Sequence, residues 1–440
     1  MTLFSRLIPA ALMLLLAGLP ARAAVDIQTV TSPGGITAWL VQEEKLPFTA
    51  LEIRFRGGSS LDPAGKEGAV NLMTALIEEG SGDMDAQSFA AARDGLAASF
   101  GFSSDIDTVA VSAQFLTENR DEAVALLRQA ITAPRFDAEA IERVRGQVLA
   151  GLRSDEKDPS SIANRLLRQQ AFAGHPYVEN GDGRLDTVPG LTRDDLIAAH
   201  KAAFTRDRVY VAAAGDISAE ELGALIDTLL GSLPATGPAL PEAVVPALTG
   251  GITLQTFPGP QSVVLFGHSG IKRDDPDFFA ATILNEVLGG GRFSSRLMTE
   301  VREERGLTYG IGTSLVGYDR SELVLGQAAV ANERVAEAVE VIRAEWARIS
   351  TEGITEEELA ATKTYLTGAY PLRFDGNGQL AQIMVNMQLI GLPADYPKTR
   401  NDKVNAVTLE DVNRVAATLL RANDLRFVIV GEPVGVTGTN

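Results

Sequence analysis

The hydrophobic positions of this chain switch between two periods. From residue 25 to 55 they alternate in short runs, Val25-Asp-Ile-Gln-Thr-Val, Ala38-Trp-Leu-Val-Gln and Phe48-Thr-Ala-Leu-Glu-Ile-Arg-Phe, and Gly34-Gly35 supplies a hairpin turn between the first two. Alternation of this kind predicts strands. A loop with Gly57-Gly58, Asp62-Pro63 and Gly65 follows, and then the helical period takes over. It predicts helices over residues 67–79 (closed by Gly80), 86–98, 118–130, 138–157 and 160–171, with a strand at 107–115. A second helical run through Phe279, Ile283, Leu284, Val287 and Leu288 breaks on Gly289-Gly-Gly-Arg-Phe-Ser-Ser-Arg-Leu. Ser294 and Ser295 suit the N-cap of another helix, which Gly306 ends before a strand over residues 307–315. That layout sets Arg302 on a last helical turn and Tyr309 at the start of a strand.

The pattern repeats. Thr192-x-x-Asp195 opens a helix as a capping box, and the strand Val211-Ala-Ala-Ala-Gly215 closes the unit. Thr408, Asp411 and Phe427-Val-Ile-Val-Gly431 stand at the same positions 216 residues later. Leu72-Met73 and Leu76-Ile77 are echoed by Ile283-Leu284 and Val287-Leu288 at an offset of 211. Two separated segments with nearly one offset imply duplication of an α+β unit. Between the copies, residues 231–251 carry Pro234, Pro238, Pro241 and Pro246 among small residues, which predicts an extended linker. The expected organisation is a first half at 24–230, a linker at 231–251 and a second half at 252–440. Each half is an α/β roll of sheet packed with helices, and together they form a clam shell.

Composition narrows the setting. Residues 1–23 hold Arg6, an apolar run from Leu7 to Leu19 and Ala21-Arg22-Ala23, the form of a secretory signal cleaved near Ala23. The mature chain is therefore expected in the periplasm, and no later stretch is long enough to span a bilayer. Zero cysteines exclude disulfides, thiolate zinc sites and cysteine nucleophiles. A net charge of −18 without a basic stripe argues against nucleic acid and anionic membranes. The three histidines, His175, His200 and His268, lie too far apart for a helical metal-binding pair, and each reads as structural or exposed. No serine sits in a nucleophile elbow, and the glycine run lacks a phosphate-loop ending. Glu78-Glu79 read as a solvated helix end.

Taken in order, these motifs resemble the pitrilysin/insulinase zinc metallopeptidases, in the branch that includes the mitochondrial processing peptidase subunits. The resemblance runs through Asp62-x-x-Gly65-x-x-Gly68, Pro134-Arg-Phe, Asp158-Pro159, His175-Pro-Tyr, Gly215-Asp, the Gly289 turn with Arg302, and Gly306-Leu-Thr-Tyr309. Active members carry His-x-x-Glu-His on the first half's helix. Asn71, Thr74 and Ala75 occupy those positions here, and Gly151 aligns with the further glutamate ligand. These residues cannot assemble a zinc site, so the resemblance implies no metal in this chain and zinc in a homologous partner subunit.

Arg302 and Tyr309 match the family's second-half pair that reaches substrate held at the zinc, which implies a role in trans as substrate-binding and oxyanion-stabilising groups. Ser99-Phe100-Gly101-Phe102-Ser103 matches the edge segment to which short or unfolded peptides add as a strand. The implied function is the non-catalytic subunit of a heterodimeric zinc peptidase. The alternative is an inert scaffold of the same fold.

Overall fold

The computed structural model describes residues 25–439; the expected secretory signal at residues 1–23 lies outside the described residues. The first half contains β1 (Gln28–Thr31), β2 (Thr37–Gln42), β3 (Phe48–Arg56), a short hairpin of β4 (Gly80–Ser81) and β5 (Met84–Asp85), then β6 (Ser99–Ser104), β7 (Thr108–Leu116) and β8 (Val209–Gly215). Six of these form one sheet in the order β1-β2-β8-β3-β7-β6, in which only β2 and β8 run parallel. The second half contributes β9 (Gly251–Thr256), β10 (Gln261–Ser269), β11 (Thr308–Gly317), β12 (Glu322–Ala331) and β13 (Arg426–Gly431). Their order, β11-β12-β10-β13-β9, repeats that of the first sheet without its extra edge strand.

The repeat is enforced by local chemistry. Thr192 and Thr408 each accept from the backbone N–H three residues on, and Asp195 and Asp411 return the bond, so both helices start on complete capping boxes. Gly215 and Gly431 end the equivalent strands at positive φ. A Cβ there would lie 2.2 Å from the Phe48 carbonyl oxygen in one half and 2.2 Å from Ser262 Oγ in the other.

Each sheet has a core on one face made with its own half's helices. Leu51, Ile53 and Phe55 of β3 point into the first, and Val264 and Phe266 of β10 into the second. The opposite faces are closed by exchange. The Pro159–Ala171 helix of the first half lies on β10 and β13, burying Ile162, Ala163 and Leu167 against Leu265, Val428 and Val430. Its counterpart Asn377–Leu389 lies on β3 and β8, burying Ala381, Met384 and Val385 against Ala50, Ala212 and Ala214. Full burial of a valine or methionine side chain contributes roughly 1.5–3 kcal/mol, so each crossed helix is a substantial tie.

A polar lock joins the halves beside the first crossed helix. Tyr177 is fully buried; its hydroxyl donates a short hydrogen bond to Asp107 and accepts from the Arg320 backbone N–H at 3.0 Å. Asp107 also accepts from the Asp319 backbone N–H at 2.9 Å, and Asp319 pairs with Arg56 at 2.7 Å. Burial raises the Asp107 pKa and pushes that of Asp319 up to about 6, despite the neighbouring guanidinium. The proline-rich stretch has no regular structure and is tacked to both halves, through Arg208 to the Pro238 carbonyl, the Val244 N–H to Arg320 and the Ala247 N–H to Ala171.

Candidate functional site

The glycine turn is fixed from both sides. The N–H groups of Gly289 and Gly290 return to the Asn285 carbonyl at the end of the Phe278–Leu288 helix, and the Gly289 carbonyl accepts from Thr313 of β11 at 2.7 Å. Side chains are excluded here: a Cβ on Gly290 would lie 2.4 Å from Glu286 Oε2. Arg296 then anchors the chain through a two-pronged bond to Glu358, both contacts at 2.7 Å. The helix that follows differs from the expected one. Residues Met298–Glu303 wind as a π-helix, and Ser295 Oγ is buried without a hydrogen-bond partner rather than serving as an N-cap. The widened winding carries the Glu304 N–H back to the Thr299 carbonyl, and Gly306 closes it at φ +60°.

Arg302 lies at the end of this helix, half-buried, with its guanidinium over the Phe293 ring at 4.7 Å from the centroid. Tyr309 falls in a bulge of β11 between Thr308 and Ile311, which Thr308 Oγ1 pins by donating to the Ala329 carbonyl. The bulge turns Tyr309 outward, and it is 88% exposed. Gly306 N–H to the Arg302 carbonyl and Leu307 N–H to the Val301 carbonyl close the turn that joins these two residues. Neither side chain has a hydrogen-bond or ion-pair partner within the described chain.

Asn71, Thr74 and Ala75 share the short helix Ala69–Ala75, whose N-terminus Asp62 caps through the N–H groups of Gly68 at 2.8 Å and Val70 at 2.9 Å. Burial pushes the Asp62 pKa up to about 7. Asn71 donates to the Asp182 carbonyl at 3.4 Å, Thr74 is buried and donates back to the Val70 carbonyl at 2.8 Å, and Ala75 is exposed. Gly151 faces open space. An amide, a hydroxyl already bonded to the backbone, a methyl and a hydrogen do not make a zinc donor set. Glu78 and Glu79 offer no substitute and are not simply solvated: Arg93 holds the first at 2.7 Å, and Arg143 makes a short contact with the second. Among the described residues no group of three or more His, Cys, Asp or Glu is placed to hold a metal ion.

The histidines are engaged in the fold. His268 is fully buried between the Ser269 carbonyl and the Trp346 indole N–H, which together assign its proton to Nδ1. His200 reaches the Ile131 carbonyl and His175 the Glu242 carbonyl.

Ser99, Phe100, Gly101, Phe102 and Ser103 lie in β6, the edge strand of the first sheet, bonded to β7 on one side only. Phe100 is buried while Ser99 and Ser103 are exposed, and the Ala69–Ala75 helix packs beside the strand. The structure thus gathers Asn71, Thr74, Ala75 and the strand edge in one half, and Arg302 with Tyr309 in the other. Apolar periodicity passes over Asn285, a buried polar residue in the second half's counterpart of the Ala69–Ala75 helix. At the 211-residue offset Thr282, Asn285 and Glu286 match Asn71, Thr74 and Ala75, which was the signal available for finding it.

A model of the insulinase peptidases (family M16) matches residues 39–180, and one described as the M16 peptidase inactive domain matches residues 190–366. The chain is 26% identical over 393 residues to a protein of Helicobacter pylori named a non-peptidase homolog, with 88% of this chain and 90% of that one covered. It is 27% identical over 412 residues to an uncharacterized zinc protease of Mycobacterium leprae, covering 91% of this chain and 90% of that one. The solved M16 peptidase inactive domain from Pseudomonas fluorescens superimposes with a TM-score of 0.87 at 28% identity, over 94% of this chain and all of that one.

Proposed function

The chain belongs to the M16 insulinase family of peptidases and their homologues, and from that premise we propose that it is the non-catalytic subunit of a two-chain zinc peptidase. One observation carries the reading: the helix that should bind metal presents Asn71, Thr74 and Ala75, while the Arg302 and Tyr309 side chains have no hydrogen-bond or ion-pair partner within the described chain. A homologous partner supplies His-x-x-Glu-His and its zinc. In the joint site the Tyr309 hydroxyl donates to the oxyanion that develops as the peptide bond is attacked, and the Arg302 fork holds a peptide carbonyl or carboxylate. Substrate is a short or unfolded peptide added to a β6-type edge. The complex works in the periplasm once the leader is removed near Ala23, which N-terminal sequencing of the exported chain checks.

The test is to isolate the chain from its native host with whatever it binds and assay chelator-sensitive cleavage of mixed short peptides. Cleavage by the complex and not by the lone chain is expected, with Tyr309→Phe lowering the rate about a hundred- to a thousandfold, the loss typical of one oxyanion donor. Unchanged rates in both Tyr309→Phe and Arg302→Ala, with the complex intact, would refute the role in trans and leave a scaffold. The Helicobacter relative's designation as a non-peptidase homolog supports inactivity of the lone chain.

A further inference from the structure

The second half holds a cavity of about 670 Å³ between the Phe278–Leu288 helix, β11 and the crossed helix Asn377–Leu389. That volume is within the roughly 300–1,000 Å³ span of small-ligand sites. Its charged lining consists of Arg273, Arg373, Arg400 and Glu286, a net excess of two positive charges in a chain of net charge −18. None of the three arginines forms an ion pair within the described chain. Arg273 donates to the Tyr396 hydroxyl at 2.6 Å, Arg400 donates to the Leu366 carbonyl at 2.7 Å and lies over Tyr370, and Arg373 is exposed with no partner. Three cations set against one carboxylate, Glu286, and held in no ion pair around a concave surface are placed for an incoming anion.

The apolar and polar parts of the wall specify the rest. Tyr370 and Phe374 stand edge to face, 5.1 Å between centroids, and form an aromatic wall. Asn285 also lines the cavity and is 9% exposed. Its amide nitrogen donates to the Thr313 carbonyl at 3.3 Å, which fixes the side chain, and its Oδ1 is buried with no hydrogen-bond partner. A buried acceptor left unpaired is costly, so this oxygen calls for a donor from outside the chain. Thr313 Oγ1 is buried and unpaired on the same wall.

We propose that this cavity binds the C-terminal residue of a peptide: the free carboxylate on the arginines, its amide N–H on Asn285 Oδ1, and an aromatic or large apolar side chain against Tyr370 and Phe374. Carboxylate, N–H donor and apolar body occur together in that one unit. The site involves neither Arg302 nor Tyr309, and its test needs no partner subunit.

The mature chain alone is titrated by calorimetry with a nonapeptide ending in phenylalanine, as the free acid and as the C-terminal amide, and with N-acetylphenylalanine and inorganic phosphate. The acid is expected to bind at least tenfold more tightly than the amide. N-acetylphenylalanine retaining most of the acid's affinity would place recognition in the terminal residue, as proposed. Arg373→Gln, at an exposed position, is expected to reduce the preference for acid over amide, and Phe374→Ala to weaken both peptides together. Equal binding of acid and amide, no binding of either, a preference untouched by Arg373→Gln, or phosphate binding as tightly as the peptide acid would each overturn the assignment.

Discussion

Replacing Tyr177 with phenylalanine keeps the ring in place and removes only the group that joins the two halves. The ring packs edge to face on Phe172, with centroids 5.6 Å apart, and phenylalanine preserves that contact. What disappears is the donor to Asp107 and the acceptor for the Arg320 N–H. Each buried polar group left without a partner costs about 1–3 kcal/mol, so the variant should be about 2–6 kcal/mol less stable. Asp107 keeps its contact with the Asp319 N–H, which argues against the upper limit of that range. The assay is urea unfolding of the mature chain at pH 7.5 and at pH 5. The Asp107 pKa is already raised by burial, and the Tyr177 hydrogen bond is the leading influence holding it down. Removing that bond makes the charged form dearer, so the loss should be larger at pH 7.5 than at pH 5. Tyr318→Phe is the control: its hydroxyl accepts only from Arg168, at 3.3 Å in a partly exposed setting, and less than about 1 kcal/mol is expected. A Tyr177→Phe variant within about 0.5 kcal/mol of wild type, or no more destabilised than Tyr318→Phe, would refute the reasoning.

Asp319 titrates near 6 in the folded chain and close to its ordinary value of 3.8 when unfolded, so its contribution falls as pH rises through that window. The stability of wild type relative to Asp319→Asn should be about 1 kcal/mol more favourable at pH 5 than at pH 7.5, read from paired urea midpoints. Asn71→His, Ala75→His and Gly151→Glu together should yield stoichiometric zinc by metal analysis, because Gly151 faces open space and Ala75 is exposed. A metal-free triple variant that folds would show that these are not the ligand positions. Thr192→Ala and Thr408→Ala remove equivalent capping boxes, and each should cost about 1 kcal/mol in thermal or urea unfolding. Trp346→Phe leaves the buried His268 Nε2 without its donor and should cost about 1–3 kcal/mol, seen as a lowered urea midpoint.

The repeated order of elements was legible because part of it is written in local chemistry. Capping boxes at Thr192 and Thr408 act within three residues of themselves, and the glycines at 215 and 431 mark the strand ends by residue type alone. For the same reason the expected helices over 138–157 and 160–171 lie close to the observed Ala138–Asp155 and Pro159–Ala171. Three features were not legible. The π-winding at Met298–Glu303 depends on how Arg296 and the Gly289 turn are held by distant elements. The exchange of helices between sheets depends on which apolar face meets which, and periodicity gives the face and not its partner. The cavity brings Arg273, Asn285 and Arg400 together from separate elements, and no spacing encodes that. The residue types at Asn71, Thr74 and Ala75 are read from the sequence directly, because an absent side-chain type needs no geometry to be recognised.

The exchanged helices change what the linker is for. Since each half contributes the lid of the other's sheet, covalent continuity through residues 231–250 is not what keeps the molecule together. A single proteolytic nick beside Val245, which is 79% exposed, would leave two fragments that still clasp each other and elute as one species. Genes for the two fragments, coexpressed, would then behave as a split protein that reassembles without a tether. The single chain is in this sense an obligate dimer whose subunits happen to be synthesised in tandem.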